Sequence, residues 1–466
     1  MKTHALDDFN ADLRRDALTA LAASETFPAP GALFNMHCHS FFSYNADGWS
    51  PSRIAYECRR GGLRAAALCD FDVLDGLGEF LEAGRILGLR TAVHLETRAY
   101  VREQAAVDIS SPGEPGVAYI MGCGFTATPK ADTPQGVFLA RLRQGAQDRN
   151  LALIARINAA LPEIALDYAR DVTPLTPKGV ATERHIIRAY GRRSKAVFTD
   201  AAHRAAFWAP LLKCDAAAYP PLEANVPKWE ELVRSALAKR GGIGYVQPDN
   251  KTFPPADEFL PWVKSCGAIP TITWLDGTSG GEAEPEKLLD LMTAKGGVAL
   301  NIIPDRNWNL KKPDEAARKQ ANLDAIVRGC VRRNLPINIG TELNKDGLPF
   351  VDDIAGPVLG KYADVFTQGM HVMIGQTLLG GYANAPYLGE RTAAEFAGVA
   401  ERNAFFAAVG ASPPLTERDA GALLDAGPVK AFGMLADRAD RASAKLGIRN
   451  EELEMRSEME NRIPNS

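Results

Sequence analysis

Short apolar runs that alternate with helical patterns constrain the fold of this chain more than any other feature. Buried parallel strands read as short continuous apolar runs, and the stretches between them carry helix signals, such as Ser50-Pro51 at a beginning and Gly61-Gly62 at an end. The runs lie at 33–36, 64–69, 91–95, 117–125, 243–246, 269–274, 298–303 and 336–339. This alternation predicts an α/β protein, a regular or distorted TIM-like (β/α) barrel, with a doubly wound open sheet as the alternative.

The alternation breaks in two places. From about 129 to 229 the chain has helical patterns joined by proline-rich connectors, which we interpret as an insertion over the barrel mouth that acts as a lid. From 362 to 466 it is helical again. We therefore predict a barrel over 1–361 with this helical insertion, and a helical C-terminal extension that either completes the outer layer of the barrel or forms a dimer contact.

Composition narrows the classes of partner. The net charge is −4, with acidic and basic residues mixed along the chain, so no basic block favours nucleic acid or a membrane surface. The seven cysteines are scattered without a CxxC pair, which is typical of a reducing compartment. The N-terminus lacks the apolar stretch of a signal peptide. We expect a cytoplasmic protein that acts on a small molecule and is compatible with a homo-oligomer.

Two of the seven histidines lie one residue apart, at His37 and His39, where the first apolar run ends. Residues i and i+2 of a strand share a face, so the pair can direct two imidazoles at one metal ion. Packed or surface histidines are the alternative interpretation.

Polar residues recur at the ends of the later runs as well. Chemistry in (β/α) barrels collects at the C-terminal ends of the strands. Each residue alone could be a helix cap, a turn residue or a surface charge, and the recurrence is the stronger signal. The residues that follow the histidines are Asp70, Asp72, Glu96, Arg98, Trp274, Asp276, Glu342, Asn344 and Lys345.

The segment His37-Cys38-His39-Ser40, followed by Asp47-Gly48, resembles the first motif of the PHP family of metal-dependent phosphoesterases, a family associated with histidinol phosphatase and bacterial DNA polymerase domains. Four further motifs of that family have similar segments here, in family order, between 31 and about 350. They are Cys69-Asp70-Phe71-Asp72 with Gly76, His94-Leu95-Glu96, Thr273-Trp274-Leu275 and Gly340-Thr341-Glu342-Leu343-Asn344. The resemblance implies a distorted (β/α)7 barrel.

The chain departs from the family pattern at four histidines, which are replaced by Phe71, Ile120, Trp274 and Asn344. Family members usually hold up to three metals, and the resemblance implies that two of those positions are lost. The position that remains consists of His37, His39, Glu96 and Glu342, with Glu342 in place of an aspartate. Two nitrogen and two oxygen ligands suit one divalent ion, Zn²⁺, Mn²⁺ or Fe²⁺.

These residues predict a metal-dependent hydrolase of the PHP type that uses a metal-activated water on a small anionic substrate. Asp72 and Asp276 are the candidate general bases, because each lies near a strand end outside the ligand set. Arg98 and Lys345 are candidates to hold the anionic part of the substrate. Phosphoester hydrolysis is what the resemblance implies, while amide, ester or lactone hydrolysis and a lyase reaction stay open for a single metal.

A second hypothesis comes from the four replaced histidines: a binding or regulatory protein on a PHP scaffold that has lost catalysis.

His94, two residues before Glu96, is a candidate to support or replace a metal ligand.

Overall fold

The structure is a computed structural model that describes residues 3–446, with side chains described as far as 442. Its centre is a mixed α/β arrangement built on a seven-stranded, nearly closed, barrel-like sheet, as expected for a TIM-like barrel. Neighbouring strands in the sheet follow the order of the chain. The strands are β1 (Phe34–Cys38), β2 (Ala65–Phe71), β3 (Arg90–Tyr100), β4 (Val117–Cys123), β5 (Ile269–Trp274), β6 (Ala299–Ile302) and β7 (Ile337–Ile339).

One strand distorts the barrel. The sets β1–β3 and β5–β7 are parallel within themselves, whereas β4 is antiparallel to both of its neighbours. A parallel connection usually needs a crossover helix. The segment between β3 and β4 has a single 3-10 turn, Arg102–Gln104, and so β4 returns antiparallel beside β3.

The barrel closes through a short contact between β1 and the residues that follow β7. Cys38 and Glu342 form an isolated parallel bridge. The His39 N–H donates to the Glu342 carbonyl over 2.8 Å, and the Glu342 N–H donates to the His37 carbonyl over 2.8 Å. This contact brings the C-terminal ends of the first and last strands together.

Helices cover the sheet and fill the connections. Those before β5 are α1 (Ala11–Ser24), α2 (Pro51–Arg60), α3 (Leu77–Leu87), α4 (Pro134–Ala160), α5 (Glu183–Val197), α6 (Ala201–Leu212), α7 (Tyr219–Ala224), α8 (Val226–Leu237) and α9 (Ala256–Ser265). Those after β5 are α10 (Pro285–Ala294), α11 (Asp305–Trp308), α12 (Pro313–Arg333), α13 (Ala363–Ala383), α14 (Glu390–Glu395), α15 (Val399–Ala411) and α16 (Glu417–Leu446).

The C-terminal helices belong to the barrel's own core. Residues of α13, α15 and α16 lie in the same buried apolar cluster as the sheet. In α13, Gly369 lies so close to β7 that an added Cβ would meet the Ile337 carbonyl oxygen at 1.9 Å. The extension therefore completes the outer layer of the barrel, the first of the two roles left open by the sequence. Residues 447–466 of that predicted extension lie outside the described residues.

The run at 243–246 is not a strand, which corrects the prediction. It forms a loop that follows α8, where the Ile243 N–H donates to the Ala236 carbonyl and the Gly244 N–H to the Leu237 carbonyl. These bonds satisfy the end of the helix. Ile243 is 38% exposed and Val246 is 59% exposed, so the run is not a buried segment.

Helices α4–α8 surround a second apolar core, separate from that of the barrel, whose buried members run from Leu153 to Ala238. The buried residues of α9 belong to the barrel core. Among residues 3–446, no helix is both long enough and apolar enough to cross a membrane.

Candidate metal centre

Four side chains meet at the C-terminal end of the barrel strands. His37 and His39 come from the end of β1, Glu96 from β3, and Glu342 from the segment after β7 that closes the barrel. One ligand atom from each lies within 4.8 Å of the others, and the first three residues are buried while Glu342 is half-buried. The structure thus brings together the four residues predicted as metal ligands, and the cluster is most open at Glu342.

The spacing of these atoms suits a metal ion. The His37 and His39 Nε2 atoms are 3.3 Å apart, and the Glu96 Oε2 atom lies 3.7 Å and 3.6 Å from them. Ligands about 2.0–2.2 Å from a tetrahedral ion are about 3.3–3.6 Å from one another. Glu96 Oε2 is also buried without a hydrogen-bond donor, which is costly for a carboxylate unless a cation faces it. The donor set therefore fits one divalent ion.

The electrostatics of the cluster are dominated by burial and by the nearby carboxylates. Burial alone would lower the pKa of His37, but Glu96 and Glu342 outweigh it and hold that pKa above its ordinary value. Burial would raise the pKa of Glu96, but His37 and His39 outweigh it and hold that pKa below its ordinary value. The apo cluster therefore favours positive charge between its carboxylates, which is the charge that a metal ion supplies.

Backbone strain is concentrated at this site. Six described residues other than glycine have a left-handed φ. Three of them directly follow the last residue of a helix, where this conformation is common: Lys213, Asn334 and Asn384. The other three lie at the candidate site: Asp72 (φ 60°), Glu342 (φ 66°) and Leu343 (φ 54°). Left-handed residues without a cap role are often found at functional sites, where the surrounding structure maintains the strain.

The backbone of Asp72, a candidate general base, lies directly beside the ligand Glu96. Its N–H donates to the Glu96 carbonyl over 2.9 Å. Its carboxylate accepts a hydrogen bond from Thr97 Oγ1 at 2.5 Å and pairs with Arg149 of α4 at 3.3 Å. Burial raises the pKa of Asp72 in spite of Arg149 and Thr97.

Arg98 lies two residues beyond Glu96 on β3 and therefore on the same strand face. It is opposite Tyr119 of β4, stacks on the Phe253 ring at 4.2 Å and pairs with Glu114 at 2.8 Å. The predicted anion-binding arginine is thus next to the site, with one carboxylate partner already in place.

The remaining two predicted catalytic residues, Asp276 and Lys345, have no hydrogen bond or ion pair with the ligand set among the described residues. The Asp276 carboxylate accepts hydrogen bonds from Thr278 and pairs with Lys319 of α12 at 3.1 Å. Burial raises its pKa, but Thr278 and Lys319 outweigh burial, and the pKa lies below its ordinary value. Its partners thus come from its own loop and from α12 rather than from the ligand set. Lys345 is exposed on the loop after Glu342.

His94 lies one layer deeper in the barrel than Glu96. Its Nδ1 accepts the Gly124 N–H over 3.0 Å, and its Nε2 is buried without a hydrogen-bond partner. Burial lowers the pKa of His94 to about 3, so it is neutral. It is not among the four residues whose ligand atoms converge.

The helical insertion packs over the same end of the barrel. Arg188 of α5 donates to the Tyr44 hydroxyl over 2.6 Å, and Val180 joins Phe41, Phe42 and Val73 in a small buried cluster. The contacts are made on loops that follow β1 and β2, next to the ligand set. The insertion therefore covers the end of the barrel that carries the candidate site.

Several residues around the site were not anticipated from the sequence. Ser40 and Ser43 bind Asp70, and Ser43 also contacts His39. Their proximity to the histidine pair was an available signal. Arg149 is 77 positions from Asp72 on a long helix, and no local pattern points to it.

Comparisons with known proteins leave the family open. No protein-family model matches the sequence, and no curated protein matches it. A proposed metal-dependent phosphoesterase from Bifidobacterium adolescentis has a TM-score of 0.44 and 18% identity, over 70% of this chain and 94% of its own. An amidohydrolase from Chromobacterium violaceum, with bound sulfate and no metal, has a TM-score of 0.45 and 15% identity, over 72% and 96%. Similarity this low does not establish a family for this chain, and membership of the PHP family stays a prediction.

Proposed function

We propose that this protein is a hydrolase that depends on one divalent metal ion, Zn²⁺, Mn²⁺ or Fe²⁺. The observation that supports the proposal most is the convergence of His37, His39, Glu96 and Glu342, with a buried Glu96 oxygen that lacks a donor. When bound, such an ion lowers the pKa of a water molecule and polarises the scissile group of a substrate.

Residues of the chain would supply the general base, bind the substrate and shield the site. Both candidate general bases are ion-paired, Asp72 with Arg149 and Asp276 with Lys319. Asp72 is the better candidate, because its backbone is hydrogen-bonded to Glu96, whereas the partners of Asp276 come from its own loop and from α12. Arg98 would hold the anionic part of the substrate one strand layer above Glu96. The helical insertion would separate the site and its reacting water from bulk solvent. Lys345, which is exposed, would act at the entrance of the site.

The substrate we propose is a small anionic molecule. Phosphoester hydrolysis is the first reaction to test, since it is what the resemblance to the PHP family implies. A single ion cannot clamp the attacking and leaving oxygens as a pair of ions does. Amide, ester and lactone hydrolysis therefore belong in the same substrate panel.

The first experiment is elemental analysis of protein purified without a chelator. We expect about one zinc, manganese or iron per chain in the wild type and in the control variant Glu258→Gln, whose carboxylate is on the surface. The double variant Glu96→Gln/Glu342→Gln should contain less than about a tenth of that amount, because two of four ligands are weakened. Absence of metal after each ion has been supplied would contradict the proposal, and two or three ions per chain would contradict a mononuclear centre.

A binding protein that has lost catalysis is the second candidate. It is favoured by the fact that Asp72 and Arg98 are both already ion-paired. His39→Ala separates the two functions: an enzyme loses turnover while it stays folded, whereas a binding protein keeps its affinity for its ligand.

A further inference from the structure

A short chain of hydrogen bonds supports one of the two histidines from behind. The His39 Nδ1 atom, on the side of the ring away from the other ligands, lies 3.1 Å from Ser43 Oγ. Ser43 Oγ lies 2.6 Å from Asp70 Oδ1. His39 and Ser43 are fully buried and Asp70 is 2% exposed. Water cannot readily replace either contact.

The number of protons in this chain determines its direction. A carboxylate only accepts hydrogen bonds, and a serine hydroxyl has one proton to donate. Asp70 accepts from the Ser40 N–H at 2.8 Å, from Ser40 Oγ at 2.7 Å and from Ser43 Oγ. Because Ser43 gives its proton to Asp70, its oxygen can only accept from His39. The His39 proton then resides on Nδ1, which leaves the Nε2 lone pair directed at the other ligands.

We propose that Ser43 and Asp70 are positioning residues that hold His39 in the Nδ1–H tautomer and thereby set its Nε2 to bind the metal. This inference rests on the metal site of the proposed function. Buried partners of this kind commonly orient histidine ligands and increase their basicity.

Two neighbouring features agree with a special arrangement at His39. Phe71, the residue after Asp70, stacks on the His39 ring with centroids 4.5 Å apart and planes inclined by 22°. Strand β2 thus supplies both Phe71, which fixes the plane of the His39 ring, and Asp70, which through Ser43 fixes the position of the His39 proton. His37, by contrast, has a buried Nδ1 that forms no hydrogen bond of normal geometry among the described residues, and the side chain that acts on His37 from outside the carboxylates is the neutral amide of Asn301. The two histidines are therefore not equivalent.

The tautomer can be measured directly in the metal-free wild-type protein. Long-range ¹H–¹⁵N NMR of ¹⁵N-histidine protein distinguishes Nδ1–H from Nε2–H, and His39→Gln assigns the signal. We expect Nδ1–H for His39. In Ser43→Ala we expect that signal to shift toward Nε2–H or to a mixture of both. A wild-type His39 that carries its proton on Nε2 would overturn the inference, even if Ser43→Ala failed to fold.

Metal affinity gives the second measurement. Competition of Zn²⁺ with a chelator should show binding about 10–100-fold weaker in Ser43→Ala, with recovery in Ser43→Thr, which keeps the hydroxyl. The matched control is Ser52→Ala, because Ser52 is also buried and also donates to a carboxylate, Glu79 Oε1 at 2.8 Å, away from this site. It should bind Zn²⁺ as the wild type does.

The outcomes separate this inference from the function that it rests on. If the tautomer depends on Ser43 but the wild type binds no metal, the control of the His39 tautomer is supported, whereas its role in metal binding and the proposed hydrolase are both contradicted. If the wild type binds Zn²⁺ and Ser43→Ala changes neither affinity nor tautomer, the hydrolase is unaffected and the positioning role is wrong.

Discussion

Glu342 shows at the scale of one residue how the site is built at a cost to stability. It supplies the most exposed of the four candidate ligands, and it and Leu343 are both left-handed. A left-handed conformation costs a residue other than glycine about 1–3 kcal/mol. A glycine would adopt this backbone freely but has no carboxylate. The chain thus retains a strained residue where a ligand is needed.

This strain predicts a difference between two variants of Glu342. Glu342→Gln removes the charge and keeps the strain, whereas Glu342→Gly removes both. In the absence of metal we expect the glycine variant to be the more stable by about 1 kcal/mol, measured as the free energy of unfolding in urea. Both should lose most of their metal. A glycine variant less stable than the glutamine variant would show that the backbone at 342 is not strained.

The contact between β7 and β1 is the element on which the ligand set depends most. It carries His37 and His39 on one side and Glu342 on the other, and it requires a close approach at Gly340. A Cβ at Gly340 would lie 2.4 Å from Asn35 Oδ1 and 2.4 Å from the His37 backbone nitrogen. Only a residue without a side chain allows the two strand ends to meet there.

Gly340→Ala is therefore expected to open this contact. We predict a loss of about 1–3 kcal/mol in the free energy of unfolding, as for other overpacked sites, together with weaker metal binding. The control is Gly78→Ala in α3, where an added Cβ meets nothing within 4 Å. It should keep its metal and be as stable as the wild type or more so, because alanine favours helices. Normal metal content in Gly340→Ala would contradict this account of closure.

At the scale of the whole molecule, the protein has two separate large cores. One is shared by the barrel and the C-terminal helices, and the other lies within the insertion. Trp208 is fully buried in the second core and packs edge-on against Trp229, with ring centroids 5.4 Å apart. The four candidate ligands all belong to the barrel. Damage to the insertion core should therefore leave the ligand set in place.

Trp208→Ala tests this division. Removal of a buried tryptophan typically costs about 3–5 kcal/mol. We expect limited proteolysis to cut first within 161–238 in this variant, while the metal content stays at the wild-type level and turnover falls. Unfolding of the whole chain in one step, with loss of metal, would show that the insertion and the barrel form one cooperative unit.

Local patterns were enough to predict much of the architecture and the ligand set. Apolar runs flanked by helix signals identified the seven strands, because strand burial is visible in a few consecutive residues. The prediction was wrong at 243–246, an apolar run in a surface loop whose N–H groups bind the last carbonyls of α8. That polar residues at the strand ends lie close together was predictable because the strand ends of a barrel meet at one edge. The resemblance to the PHP family then selected His37, His39, Glu96 and Glu342 among them.

The tertiary structure decided what no local pattern contains. It paired Arg149 of α4 with Asp72, and it engaged Asp276 with Lys319, because those contacts join residues far apart in the chain. It also placed the C-terminal helices in the barrel's core. The sequence determined which residue types lie at the strand ends, and its resemblance to the PHP family indicated which four of them could bind a metal together. Which of the other charged groups stand beside that site depends on how the helices pack around the barrel.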